Sequence, residues 1–435
     1  MRLSVSLLGA AFLLPVALAA QGTAVPRELT FADALHVAES ANPAFRAARN
    51  LVGMAEADAR AAGSRPNPVV AMEGEGYSAF TPRQRSFWND QALTFRLTQE
   101  IETAGRRGHR VRAADFAVEV ARSEVADARR RLHLEIGRAY FRLALAQADR
   151  ATAAAARDEL EQVIALTEAR FAAGEVAGIE LRRLQVERLN FIDRVFAIDL
   201  AVSNARVALL GLLGAGDLTQ PVEAVDPLPA PPLLDAEGRL IATTDGVSVE
   251  LDRLRADAAA GRPDLTAARR ARERAETEIA LQRALRMPNV TAGWGYRRRF
   301  GTHAMDFEVG IPVPLFGGLN PGGVQRADAA HRRAEALESA AVVAIDVELQ
   351  QAVNAVEINA QRVRYLEEQY IRSVQETRDI VRASYEFGES ALIDFLDAQR
   401  ELLATQQVHN RALYDLRISL IELAAAVGVA PAGRP

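Results

Sequence analysis

Asp394 and Asp397 stand three residues apart in YEFGESALIDFLDAQREL, residues 385–402. On a helix this spacing puts both carboxylates on one face; taken alone, such a pair is an ordinary solvated face. Little other chemistry is on offer. His36, His109, His133, His303, His331 and His409 are scattered, and no H-E-x-x-H, P-loop or G-x-G-x-x-G motif occurs. The chain has no cysteine, which removes disulfides, thiolate metal sites, thiol catalysis and a lipidated N-terminal cysteine. Five methionines, Met1 included, do not make a soft-metal relay. An enzyme, a cofactor and a metal centre are therefore not expected. A net charge of −5 and a pI near 5.9 disfavour a nucleic-acid partner.

The acidic pair follows a glycine that has a twin. FAAGEVAGIELRRLQVERL, residues 171–189, and the stretch quoted above each centre on a glycine followed by glutamate, Gly174–Glu175 and Gly388–Glu389. Around them proline is absent, from Pro82 to Pro221 and from Pro321 to Pro431, and Ala, Leu, Arg and Glu dominate. These residues lose little on entering a helix. Past Gly322 and Gly323, only Gly388 interrupts the second interval before Gly428. Two helices of about 60 and about 40 residues, ~90 and ~60 Å long, are predicted there. Leu181, Leu184, Arg188, Phe191, Val195, Ile198, Val202, Ala205, Leu209 and Leu212 step by three and four throughout. Phe395, Leu402, His409, Leu416 and Leu423 repeat every seven. A strict heptad means supercoiled helix pairs. A glycine in the left-handed conformation can close each pair into a hairpin.

The N-terminus reads as a secretory signal, residues 1–19: Arg2, an apolar run broken by Pro15, and Ala17-Leu18-Ala19 for cleavage. No later stretch matches its apolarity, so no helical membrane span is expected.

Before each predicted hairpin the texture changes to alternation. Strands are predicted at about 68–77 and 91–101, and again at about 288–297 and 305–313. Leu93, Phe95, Leu97 and Ile101 share one face, as do Val290, Ala292, Trp294 and Tyr296; Phe307, Val309, Ile311 and Val313 do likewise, opposite Asp306, Glu308 and Gly310. Ten-residue strands of this kind fit an outer-membrane barrel, with a soluble half-buried sheet as the alternative. Tyr77, Phe80, Phe87, Trp88, Trp294, Tyr296 and Phe300 gather near the far strand ends, where an interfacial girdle would lie. Arg297, Arg298 and Arg299 fall in an expected outer loop, suited to anionic headgroups or to solvent. Arg106–Arg112 lie at a strand-to-helix junction.

The unit thus occurs twice, at 20–214 and 247–428. A proline-rich connector at 215–246 separates the copies, and a tail covers 429–435. ANPAFRAARN (41–50) answers GRPDLTAARR (261–270), and FRLTQEIETAG (95–105) answers FEVGIPVPLFG (307–317). Four strands cannot close a barrel, and lipid does not tolerate open strand edges. The fold class expected is mainly α with membrane β: coiled-coil hairpins forming a helical barrel, plus four strands per chain of a trimeric twelve-stranded barrel.

These repeats, with MPNVTAGWGYRRRFG, GIPVPLFGGLNPGGV and YEFGESALIDFLDAQRELL, resemble the TolC family of outer-membrane efflux channels over about residues 29–428. The second-repeat segments are most similar to the heavy-metal-cation (cobalt-zinc-cadmium) branch. The resemblance implies a homotrimeric exit duct in outer-membrane lipid with a large periplasmic portion. It would conduct metal cations from an inner-membrane proton-driven pump through a periplasmic adaptor. A duct for drugs or secreted products, and a periplasmic coiled-coil scaffold that transports nothing, are the alternatives. The family's adaptor contact maps onto the tips, Gly174, Glu175 and Val176 with Gly388, Glu389 and Ser390. Its acidic entrance ring maps onto Asp394 and Asp397, six carboxylates in a trimer. In the first repeat the matching place is less acidic, with Glu180 followed by Leu181, Arg182 and Arg183.

Overall fold

The computed structural model describes residues 25–75, 92–229, 231–234, 239–299, 301–313 and 319–429. After β1 (Glu28–Leu29) come α1 (Phe31–Ala41), α2 (Pro43–Ala62), β2 (Val69–Glu75), β3 (Ala92–Ile101), α3 (Arg106–Ala172) and α4 (Gly178–Leu213). The connector holds β4 (Glu223–Ala224), β5 (Leu233–Leu234), β6 (Leu240–Thr243) and β7 (Gly246–Val247). The plan then repeats in α5 (Leu251–Gly261), α6 (Pro263–Ala284), β8 (Val290–Arg299), β9 (Thr302–Gly310) and α7 (Pro321–Tyr365). A wider π-helical turn, Leu366–Tyr370, leads into α8 (Ile371–Glu386), and α9 (Leu392–Val427) closes the second hairpin.

The heptads do what their spacing requires. Leu184, Phe191, Val202, Ala205 and Leu209 are buried on α4, and Phe395, Leu402, Leu416 and Leu423 on α9. Arg188, the polar exception, is exposed and pairs with Glu161 of α3 at 2.8 Å. The 67 residues of α3 run about 100 Å at 1.5 Å per residue. They pack against α2, α4, α6 and α9. By length and composition α4 is apolar enough to cross a membrane. Its buried heptad and its ion pairs to α3, Arg188–Glu161 and Arg150–Asp199, make it one arm of the coiled hairpin.

The duplication extends to the caps. Helices α4 and α9 each have 36 residues and end on left-handed glycines, Gly214 (φ 68°) and Gly428 (φ 89°). At the head of α2, Asn42 donates from Nδ2 to the Leu212 carbonyl at 2.8 Å. Arg262 takes the matching place before α6 and donates to the Ala426 carbonyl at 3.3 Å. Its guanidinium is 1% exposed and is neutralised by Asp264 at 2.6 Å and Glu348 at 2.8 Å. A buried charge persists only when paired in this way. Between the halves, Phe31, Tyr140 and Phe141 centre a buried cluster. The Tyr140 hydroxyl lies 2.7 Å from the Leu29 carbonyl and accepts from the Val225 and Asp226 N–H groups at 3.1 Å, tying the connector to α3.

The strands form one antiparallel sheet in the order β2-β3-β8-β9, so β2 and β9 are its open edges. Pairing sets Val70 beside Leu97, Met72 beside Phe95, Leu97 beside Trp294, and Trp294 beside Phe307. All of these are exposed, Phe307 by 81%. The opposite face carries Glu73, Glu75, Arg96, Glu100, Arg297, Arg299, Asp306 and Glu308 among Gly, Ala, Thr and Val69. A soluble sheet would bury its apolar face; here, among the described residues, most of that face from Val70 across to Phe307 is exposed, with Leu93 buried at one end, and the charged side lies behind it. The half-buried soluble sheet is therefore not the reading that fits.

Boundaries shift in the second hairpin of strands. β8 runs on to Arg299, and Gly301 (φ 80°) turns directly into β9 at Thr302. Arg297–Arg299 are thus strand residues rather than loop residues, and Trp294 is mid-strand rather than at a rim. β9 stops at Gly310, leaving Ile311 and Val313 outside the ladder, because Pro312 has no N–H to pair. Arg106, Arg107 and Arg110 are structural. Arg106 donates to the Ala284, Leu285 and Met287 carbonyls, Arg107 to Gly63, and Arg110 to Ala62 and Ser64. They satisfy the orphan carbonyls at the ends of α2 and α6. Tyr77, Phe80, Phe87, Trp88, Phe300, the signal segment 1–19 and most of the tail lie outside the described residues.

Candidate functional site

The two tips are built alike. Gly174 and Gly388 both have φ 78°. The Glu175 N–H reaches back to the Arg170 carbonyl at 2.9 Å, and the Glu389 N–H to Ser384 at 2.8 Å. Each helix end is thereby closed by a left-handed glycine and a long reverse bond. The next helices start at Gly178 and Leu392 behind extended Ala177 and Ala391. Gly174, Glu175, Gly388 and Glu389 are exposed, and Val176 and Ser390 half-buried. Sequence reasoning missed the apolar side chains beside them, Phe171, Ile179, Phe387 and Ile393. All are exposed, Phe387 by 82%.

Just behind the tips the hairpins are bound together. The Tyr385 ring stacks on Phe395 at 5.8 Å, and its hydroxyl meets Thr167 of α3 at 3.0 Å. Arg170 donates to the Tyr385 and Glu386 carbonyls. Gln399 donates to Glu159 at 2.8 Å. Leu160, Ile164, Leu184, Phe191, Leu392 and Leu396 fill the space between.

Asp394 and Asp397 share this level and are both exposed. Asp394 accepts from the Ala391 N–H at 3.3 Å, so one of its oxygens caps α9. Asp397 accepts from Arg400 at 3.1 Å. The same guanidinium crosses to Glu187 of α4, at 3.0 and 2.5 Å. That fork holds the 2% exposed Glu187 carboxyl below its usual range, against the opposing effect of burial. Arg194, Asp397, Arg400 and Glu401 line a groove of about 740 Å³ between α4 and α9. Neither Glu187 nor Arg400 stood out in the sequence. Glu187 occupies a helix position that the heptad does not mark as apolar, and its partner lies 213 residues away. Among the described residues no group of three His, Asp or Glu side chains could hold a metal ion.

Comparison with known proteins agrees with this layout. The family model described as "Outer membrane efflux protein" matches residues 34–215 and 254–429. The cobalt-zinc-cadmium resistance protein CzcC of Cupriavidus metallidurans is 24% identical over 408 residues, covering 91% of each chain. Among solved structures, CusC is similar with a TM-score of 0.73 at 18% identity, covering 92% of each chain. VceC from Vibrio cholerae also gives 0.73, at 23% identity, covering 92% of this chain and 96% of its own.

Proposed function

The chain belongs to the outer membrane efflux protein family, and from that premise we propose that three copies form the exit duct of a tripartite pump for metal cations. The carrying observation is the four-stranded sheet with an exposed apolar face, a charged reverse face and two open edges. Joining β9 of one copy to β2 of the next removes every edge once the ring closes, and three copies, as the family reading implies, give twelve strands. Their charged faces then line a wet lumen. Below it, the hairpins continue the tube into the periplasm. Similarity to a cobalt-zinc-cadmium resistance protein favours divalent metal cations over organic cargo.

In this reading the duct conducts passively. Asp394 and Asp397 would place six carboxylates around the narrow end, raising the local cation concentration there. The bonds from Arg170, Tyr385, Gln399 and Arg400 hold the second hairpin against the first and keep that end shut. An adaptor docks on Gly174–Val176 and Gly388–Ser390, with Phe171 and Phe387 as apolar anchors. Engagement of the tips releases the hairpin contacts, and a proton-driven pump in the inner membrane supplies the cargo.

A deletion strain challenged separately with zinc, cobalt, cadmium, copper, dyes and detergents tests the cargo. Sensitivity confined to metal cations is expected; sensitivity confined to dyes and detergents contradicts it. For docking, Glu175→Arg and Glu389→Arg should abolish adaptor crosslinking, and retained crosslinking with normal efflux rejects the assigned surface.

A further inference from the structure

The sheet's charged face carries its own ion-selecting element, separate from Asp394 and Asp397. Along this face pairing sets three adjacent rows: Glu73, Thr94, Arg297 and Ala304; then Ala71, Arg96, Gly295 and Asp306; then Val69, Thr98, Gly293 and Glu308. In these rows every side chain larger than valine is charged. The middle strand β8 is bare at two successive positions. A Cβ on Gly293 would come within 3.0 Å of Thr98 Cγ2 and 3.3 Å of Glu308 Cβ, and one on Gly295 within 3.4 Å of the Phe95 carbonyl. Across this bared strand Arg96 of β3 faces Glu308 of β9, Nε to Oε2 at 3.6 Å, while its other side faces Glu73 of β2 at 4.0 Å. Both separations exceed a direct hydrogen bond. Arg297 and Asp306 are fully engaged with each other at 2.7 Å.

We propose that Arg96, suspended between Glu73 and Glu308 over the glycine-bared strand, sets the cation preference of the barrel lumen as a second station beyond the periplasmic entrance. This rests on the trimeric duct described above. The five charged side chains of these three rows sum to one net negative charge per protomer. Around a closed barrel they form a belt that favours cations, with Arg96 as its moderating element. Because Arg96 is not locked to one carboxylate, a passing cation can exchange with it for Glu73 or Glu308. The glycines keep β8 from placing a side chain in that path.

The test is the reversal potential of the purified protein in planar bilayers under a potassium chloride gradient, in wild type and in the Asp394→Asn/Asp397→Asn background. Arg96→Gln should raise the cation-to-anion permeability ratio about twofold, as expected when one charge beside a wet path is worth about RT. Glu308→Gln should lower it similarly, and Arg96→Lys should match wild type. The shifts should persist in the entrance-neutralised background. Currents in which Arg96→Gln and Glu308→Gln leave the potential unmoved overturn the belt while the duct stands. Wild-type trimers that carry no current overturn both.

Discussion

Arg400 on α9 grips Glu187 on α4 through two hydrogen bonds, Nη2 to Oε2 at 2.5 Å and Nε to Oε1 at 3.0 Å, and so ties the second hairpin to the first. Charged, forked bonds of this kind are worth about 1.5–3 kcal/mol, and partial exposure of Arg400 puts this one near the lower end. Arg400→Ala should therefore raise the open-to-closed ratio of single channels about tenfold. Glu187→Gln should act in the same direction. The double variant should open no more than the worse single one, because both remove one bond. Open probability in planar bilayers measures all three.

The same pair should give the proposed shut state a pH limit. Arg400 holds the Glu187 pKa below its ordinary value, and a depressed carboxyl pKa stabilises the paired state above the free value. That contribution is lost as pH falls through the depressed one. Open probability should stay flat from neutral pH down to about 4.5, the ordinary range for a glutamate, and rise on further acidification. In Glu187→Gln the acid rise attributable to this pair should vanish.

Asp394 and Asp397 should separate in experiment although they share a face. Asp394 also accepts from the Ala391 N–H, so Asp394→Ala removes a first-turn carboxylate worth about 0.3–1 kcal/mol to the helix as well as a charge at the entrance. Asp397→Asn removes the charge and leaves an amide oxygen that can still accept from Arg400. Both variants should reduce cation preference in reversal-potential measurements, whereas Asp394→Ala alone should lower the melting temperature.

Glycines that share the left-handed conformation need not be equally replaceable. A Cβ at Gly388 meets nothing within 4 Å, whereas one at Gly214 would lie 2.6 Å from the Ala41 carbonyl. Gly388→Ala should cost only the left-handed backbone term, about 1–2 kcal/mol. Gly214→Ala should cost more and loosen α4 from α1. Chemical denaturation of the two variants ranks them directly.

Much of this molecule was readable from spacing. Heptads located the coiled hairpins, the two glycines located both tips, and period-two alternation located all four strands, because each signal is local. What escaped depends on distant partners. The latch between Glu187 and Arg400 joins residues on different hairpins, and nothing in either neighbourhood announces it. The arginines of 106–112 look like a solvated basic patch until the ends of α2 and α6 arrive beneath them. Strand ends were off by a few residues because Gly301 allows a tight turn where a polar loop was expected, and Pro312 ends the ladder early. The apolar composition of α4 hid in plain view: its heptad was seen, but its opposite face, with Val186, Leu189, Phe196 and Leu200 exposed, was not.

The central claim is that this chain, itself only part of a cylinder, closes a conducting bore with two further copies. Reconstitution of the processed protein at known stoichiometry into a planar lipid bilayer tests it most directly. A species of three chains by native mass, passing cation-preferring current that rises in Arg400→Ala, is predicted. A stable single chain that stays in aqueous buffer without detergent and leaves the bilayer electrically silent would contradict it.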